Sequence, residues 1–201
     1  MKKFSLIIGV FALMASTAMA QLPTSAQEVC PLKISSTVPE EAMLTSLEGE
    51  EMLLTEVLAE KPTVLVFYRG GWCPFCNRHL AELQETLSPL QELGYQVVAV
   101  SADSYEKLSE TSEKNELKYK LYSGADLSAF TAFGIGYQLD DKTAEKYKGY
   151  GIDLSASEGV LPVPSVFVFN KKGAVVFSHV DPNYKERLNA KVLLAVAEAN
   201  K

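Results

Sequence analysis

Two of the chain's three cysteines, Cys73 and Cys76, stand two residues apart in FYRGGWCPFCNRHLAEL, residues 67–83. Thiols at that spacing can close a small disulfide, hold half of a zinc site, or pass electrons. Just before them, Thr63-Val64-Leu65-Val66-Phe67-Tyr68 is a continuous β-rich apolar run, the pattern of a buried strand. Gly70-Gly71 ends it, and Leu80, Leu83, Leu87 and Leu90 then recur at helical spacing. The cysteines therefore fall where a helix starts. Residues three apart there share a face. Unpaired backbone N–H groups and the positive end of the helix dipole favour a thiolate at that end. A zinc site needs further ligands, and only Cys30, His79 and His179 are left, at no usual zinc spacing. A redox pair is the preferred reading, with an inert disulfide and a metal clip as alternatives.

The neighbours of the pair are further candidates. Arg69, four residues before Cys73, is either a partner for a thiolate or peroxide or a solvated charge. Arg78 and His79 follow in the helix, and His79, three residues after Cys76, either brings its ring toward that sulfur or, the preferred reading, is exposed. Trp72 reads as a cover over the pair or as a docking surface. Pro164 stands directly before the apolar run Ser165–Phe169, which fits either a cis Val163–Pro164 bond or an ordinary proline at a strand start. Trp72, Val163 and Pro164 together are the candidate lining of a substrate groove. Cys30 has no partner in the pattern and reads as a bystander. Asp126, Asp140 and Asp141 lack the spacing of a calcium loop, and no serine or glycine-rich run fits a nucleophile elbow or a phosphate loop. No metal or organic cofactor is expected.

The elements that position these residues alternate between strand and helix. Strands are expected at 63–68, 96–101, 118–122, 165–169 and 175–177, the last two as a hairpin around Asn170-Lys171-Lys172-Gly173. Helices are expected within MLLTEVLAE, after the cysteines with a kink near Pro89, and from Asp103-Ser104 to about Asn115. Others are expected at 125–133, 141–148 and 184–199. Residues 135–160 otherwise read as irregular. This order describes an α/β protein with a central sheet and helices on both faces.

Composition sets the outer limits. The chain has 201 residues, 47% of them apolar, which suits one domain with a real core. Its net charge of -6, without a Lys/Arg cluster, argues against nucleic acid. Lys2 and Lys3, the apolar run at 4–15 and Ala18-Met19-Ala20 have the form of a secretory signal, too short to span a bilayer. Removal of residues 1–20 leaves 201 − 20 = 181 residues and takes away two lysines and no acids, giving 17 basic against 25 acidic side chains, or -8. An exported, periplasmic protein without membrane insertion is expected, in a compartment where thiols tend to oxidise. Residues 21–34 read as a lead-in and 35–201 as the domain.

FYRGGWCPFCNRHLAEL, GYGIDL at 149–154, LPVPSVFVFNKKG at 161–173 and SHVDPNYKERL at 178–188 resemble the bacterial peroxiredoxin-like proteins of the alkyl hydroperoxide reductase and thiol-specific antioxidant group. The resemblance covers about residues 35–197. It implies a thioredoxin-like three-layer sandwich with a mixed sheet. It also implies a thiol-dependent peroxidase acting on hydrogen peroxide or organic hydroperoxides, recycled by an external dithiol reductant. In peroxiredoxins the peroxidatic cysteine lies three residues after a threonine and seven after a proline. That register falls on Cys76, with Cys73 in the threonine place and Arg69 in the proline place. In thioredoxins the first cysteine attacks, which is Cys73, and Val163-Pro164 matches the cis-proline. Two further readings stand beside peroxidase: a thiol–disulfide oxidoreductase with an exposed Cys73 and a groove beside Pro164, and a non-enzymatic module with a structural disulfide. The arginine that many peroxiredoxins hold near the end of the sheet has no clear counterpart in the sequence.

Overall fold

The computed structural model describes residues 21–201; the secretory signal read from residues 1–20 lies outside the described residues. The elements run β1 (Met43–Thr45), β2 (Glu51–Leu53), α1 (Leu54–Leu58), β3 (Thr63–Tyr68), α2 (Pro74–Glu92), β4 (Gln96–Ser101), α3 (Tyr105–Lys114) and β5 (Lys120–Ser123). There follow α4 (Ser128–Ala132), β6 (Gly136–Gln138), α5 (Asp141–Gly149), β7 (Val160–Pro162), β8 (Ser165–Phe169), β9 (Val175–Val180) and α6 (Ala190–Ala199). Seven strands form one sheet in the order β2-β1-β5-β4-β3-β8-β9, and β6 and β7 form a separate antiparallel pair. The β3/β4 and β4/β5 pairs are parallel and the remaining pairs of the large sheet antiparallel, so the sheet is mixed.

The apolar run 63–68 sits near the middle of the sheet because every one of its side chains needs cover. Alternation along the strand splits it between two cores. Leu65 and Phe67 join Val98, Val100, Phe167 and Phe169 on the face covered by α1 and α4. Val64, Val66 and Tyr68 join Val97, Ala99, Val166 and Val168 on the face covered by α2, α3 and α6. Leu80, Leu83, Leu87 and Leu90 of α2 are all buried on this second face. Each contributes roughly 1.5–3 kcal/mol of apolar burial, which fixes the helix that carries the cysteines.

The sandwich with helices on both faces matches the sequence expectation, and several details differ. The helix does not restart near Ser88: α2 runs unbroken through Pro89 to Glu92. That proline falls in the last turn, where it removes one N–H while Leu87 and Leu90 keep the turn on the core. Gly94, at φ +88°, then closes the helix, with its N–H donating to the Gln91 carbonyl and that of Tyr95 to the Leu90 carbonyl. MLLTEVLAE divides into β2 and α1, because Glu51–Leu53 pairs with β1. The region read as irregular contains β6 and reaches the first residue of β7, two three-residue strands too short to show a period. The last helix starts at Ala190 instead of 184. Asp181 and Asn183 accept from N–H groups two residues on and hold a turn in place of helix, and Asn189 supplies the helix cap. Among the described residues no helix is long and apolar enough to cross a membrane.

Candidate active site

The turn between β3 and α2 carries the cysteines. Cys73 is the N-cap of α2 and Pro74 its first residue, where a missing N–H costs nothing. The Cys73 N–H donates to the Gly70 carbonyl at 3.1 Å, folding the chain back against the end of β3 and thus against Arg69. Asp103, at the end of β4, accepts the Gly71 N–H at 2.7 Å. Asn77 donates to the Gly71 carbonyl at 2.8 Å and is met in turn by Asn115 from the end of α3. Asp103 was read as part of a helix cap; Ser104 takes that place, and Asp103 anchors the cysteine turn. Gly71 has to lack a side chain, since a Cβ there would stand 1.9 Å from the Thr111 hydroxyl.

All three cysteines are free thiols. Cys73 and Cys76 are 1% and 0% exposed, while Cys30 lies at the surface with its backbone against Gly134. The pair shares its ionisation. The Cys73 thiol is lowered to about 6, chiefly by the Cys76 thiol as hydrogen-bond donor, working against burial; the Cys76 backbone N–H, Arg69 and Arg187 add to the lowering. Cys76 is raised well above the usual thiol range by the same hydrogen bond and by burial, with Arg187 opposing. The arrangement thus favours negative charge on Cys73 and keeps the proton on Cys76.

Arg69 is buried, only 2% exposed, so the solvated-charge reading fails. Its guanidinium lies 4.9 Å from the Trp72 ring centre, 5.5 Å from that of Tyr147 and 4.5 Å from that of Tyr184, and it donates to the Tyr147 hydroxyl. Sequence reading missed Arg187. Its Nη2 donates to the Cys76 sulfur at 3.3 Å, and its Nη1 donates to the carbonyls of Tyr184 and Glu186 at 2.6 Å each. An arginine therefore does stand at the Cys76 sulfur, and it comes from SHVDPNYKERL. Among the described residues neither arginine forms an ion pair, so both charges are left to the sulfurs.

Other expectations are corrected. His79 is buried, not exposed, and burial, then Arg187, then His179 push it down to about 3, so it is neutral. Among the described residues no peptide bond is cis, Val163–Pro164 included. The chain passes extended from β7 to β8, held by the Val163 N–H on the Ile135 carbonyl at 2.9 Å and the Ser165 hydroxyl on the Val163 carbonyl at 2.6 Å. Val163 and Pro164 are buried and Trp72 half-buried, so these residues do not line an open groove. A cleft of about 300 Å³ opens on the far side of Trp72, lined by Gly71, Asp103, Lys107, Thr111 and Asp153 among others, and neither cysteine reaches it. Among the described residues no group of three or more His, Cys, Asp or Glu side chains is placed to hold a metal.

A mixed sheet between two helical layers, with paired thiols at the N-terminus of the helix that follows a central strand, defines a redox protein of the thioredoxin-like fold. Residues 34–178 match the AhpC/TSA family, and the chain belongs to it. It is 30% identical to peroxiredoxin Bcp of Escherichia coli over 105 residues, 52% of this chain and 66% of that one. It is 26% identical to the thiol-disulfide oxidoreductase ResA of Bacillus thuringiensis over 146 residues, 73% of this chain and 69% of that one. Its fold is similar to the crystal structure of peroxidoxin BcpB from Mycobacterium tuberculosis, with a TM-score of 0.65, 20% identity, and coverage of 85% of this chain and 99% of the other.

Proposed function

We propose that the chain is a thiol-dependent peroxidase in which Cys76 attacks a hydroperoxide and Cys73 resolves the product. The observation that carries this reading is the Arg187 guanidinium on the Cys76 sulfur, beside a second sulfur that can take its proton. Cys76 attacks the distal oxygen of ROOH while its own proton passes to the Cys73 thiolate and on to the departing alkoxide, leaving a sulfenic acid and ROH. The Cys73 thiolate then attacks the Cys76 sulfur and displaces hydroxide, closing the disulfide. The positive charges of Arg69 and Arg187 and the N–H groups of the helix start oppose the negative charge that builds on oxygen. An external dithiol supplies the two electrons that reopen the pair. Export, read from residues 1–20, gives this cycle an oxidising compartment. Kinship with peroxiredoxin Bcp supports the reading.

The test is direct. Reduced protein is mixed with one equivalent of hydrogen peroxide and mapped by mass spectrometry. The wild type is expected to form the Cys73–Cys76 disulfide, and Cys73→Ser to hold a sulfenic acid on Cys76. If neither product forms faster than on a free thiol, the peroxidase reading fails. One observation favours a second reading: the sulfur whose acidity is raised at rest is Cys73. In a thiol–disulfide oxidoreductase Cys73 attacks first, and Cys76→Ser would then trap a protein mixed disulfide on Cys73.

A further inference from the structure

Arg69 is an unusual buried cation. Among the described residues it has no ion pair, its Nε has no hydrogen-bond partner, and the one side-chain hydrogen bond it makes is to the hydroxyl of Tyr147. Three aromatic rings surround the guanidinium: Trp72 at 4.9 Å, Tyr147 at 5.5 Å and Tyr184 at 4.5 Å, with the Trp72 and Tyr147 rings 5.4 Å apart. Ring faces attract a guanidinium but do not aim it, because the attraction has little preference among rotations over the ring. A hydrogen bond does aim it. The Tyr147 hydroxyl is therefore what sets the direction of this charge.

Tyr147 belongs to α5, none of whose nine residues is buried. Only half-buried side chains, Ala144 and Tyr147, pack this helix against the sheet core. The strand end that carries Arg69 also carries the turn that folds Cys73 back, through the Cys73 N–H on the Gly70 carbonyl. The loosely attached outer helix thus holds a positive charge that favours the Cys73 thiolate.

We propose that Tyr147 is a positioning residue, whose hydroxyl aims the Arg69 guanidinium at the Cys73–Cys76 pair and so couples the seating of α5 to the reactivity of Cys73. The proposal rests on the redox reading of the pair and not on peroxide as the oxidant. Loss of the hydroxyl in Tyr147→Phe keeps the ring and leaves the guanidinium without its only acceptor. Arg69 then turns away, and the Cys73 thiolate loses an opposite charge that favours it.

The experiment is iodoacetamide alkylation of the fully reduced chain from pH 4 to 9, with each cysteine followed separately by mass spectrometry, so that exposed Cys30 does not interfere. Rates at Cys73 are normalised to pH 9, which removes any general change in access. Tyr147→Phe is expected to move the Cys73 midpoint upward by about one pH unit. Arg69→Met is expected to move it by a similar amount, and the double variant no further than Arg69→Met alone. Trp72, the chain's single tryptophan, supplies a fluorescence check that the ring cluster and fold are kept. An unchanged midpoint in Tyr147→Phe overturns the proposal, as does a full extra shift when Tyr147→Phe is added to Arg69→Met. A shift that occurs in a protein unable to reduce peroxide sinks the peroxidase reading and leaves the positioning role standing.

Discussion

Replacing Arg187 by methionine removes the one side-chain donor on the Cys76 sulfur while keeping a side chain of similar length. Hydrogen bonds to charged groups contribute about 1.5–3 kcal/mol. Here the acceptor is sulfur, a weak one, at 3.3 Å, and the other terminal nitrogen is already engaged by the Tyr184 and Glu186 carbonyls. The lower part of that range, about 1.5–2 kcal/mol, is the appropriate figure. At 1.36 kcal/mol per decade, the second-order rate of Cys76 oxidation by hydrogen peroxide should fall roughly 13- to 30-fold. Stopped-flow fluorescence of Trp72, next to Cys73, reads that step without a coupled reductant. Arg187→Lys should recover little, since an ammonium cannot hold two carbonyls and a sulfur in one plane. Cys73 should respond less than Cys76, because Arg187 is the smallest of the influences on its thiol. A Cys76 rate within threefold of wild type, in a variant with unchanged circular dichroism and melting temperature, would refute a role for Arg187 in the reactivity of Cys76.

Two predictions concern the frame around the site. His79 stays neutral down to about pH 3 in the folded chain, whereas an unfolded histidine titrates near 6.5. The unfolded state therefore takes up a proton that the folded state refuses, and stability falls by about 1.4 kcal/mol per pH unit as pH drops from about 6.5 toward 3; urea midpoints should show this slope reduced in His79→Leu. Gly71→Ala sets a methyl 1.9 Å from the Thr111 hydroxyl. It should cost about 1–3 kcal/mol in urea unfolding, and Thr111→Ala in the same chain should restore part of the loss; full additivity of the two changes would count against a direct clash.

The central strands were legible because burial on both faces demands unbroken apolar runs: 63–68, 96–101 and 165–169 match β3, β4 and β8 to the residue. The position of Cys73 and Cys76 at a helix start followed from the same logic. What escaped were features fixed by contacts distant in sequence. Arg187 lies 111 residues from Cys76 in a polar stretch that looks helical, and only the Asx turns at Asp181 and Asn183 leave it free to reach inward. Tyr147 sits on a helix whose local pattern is simply polar. His79 looked like a surface residue because its burial comes from parts of the chain distant in sequence, which leave no local trace. The cis bond was inferred by analogy with thioredoxins, and the hydrogen bonds of Val163 and Ser165 hold an extended path instead.

The near-zero exposure of both sulfurs separates reactivity from encounter. Such a pair meets an oxidant only when the packing around it opens, and that packing includes Trp72 and the Arg187 guanidinium. While closing outruns attack, the observed rate is the opening equilibrium multiplied by the intrinsic rate, and at high oxidant it levels off at the opening rate itself. A plateau of that kind is independent of which peroxide is used. It would time the opening of the packing around the pair, and the enclosure then acts as a clock that limits how often the thiolate is spent.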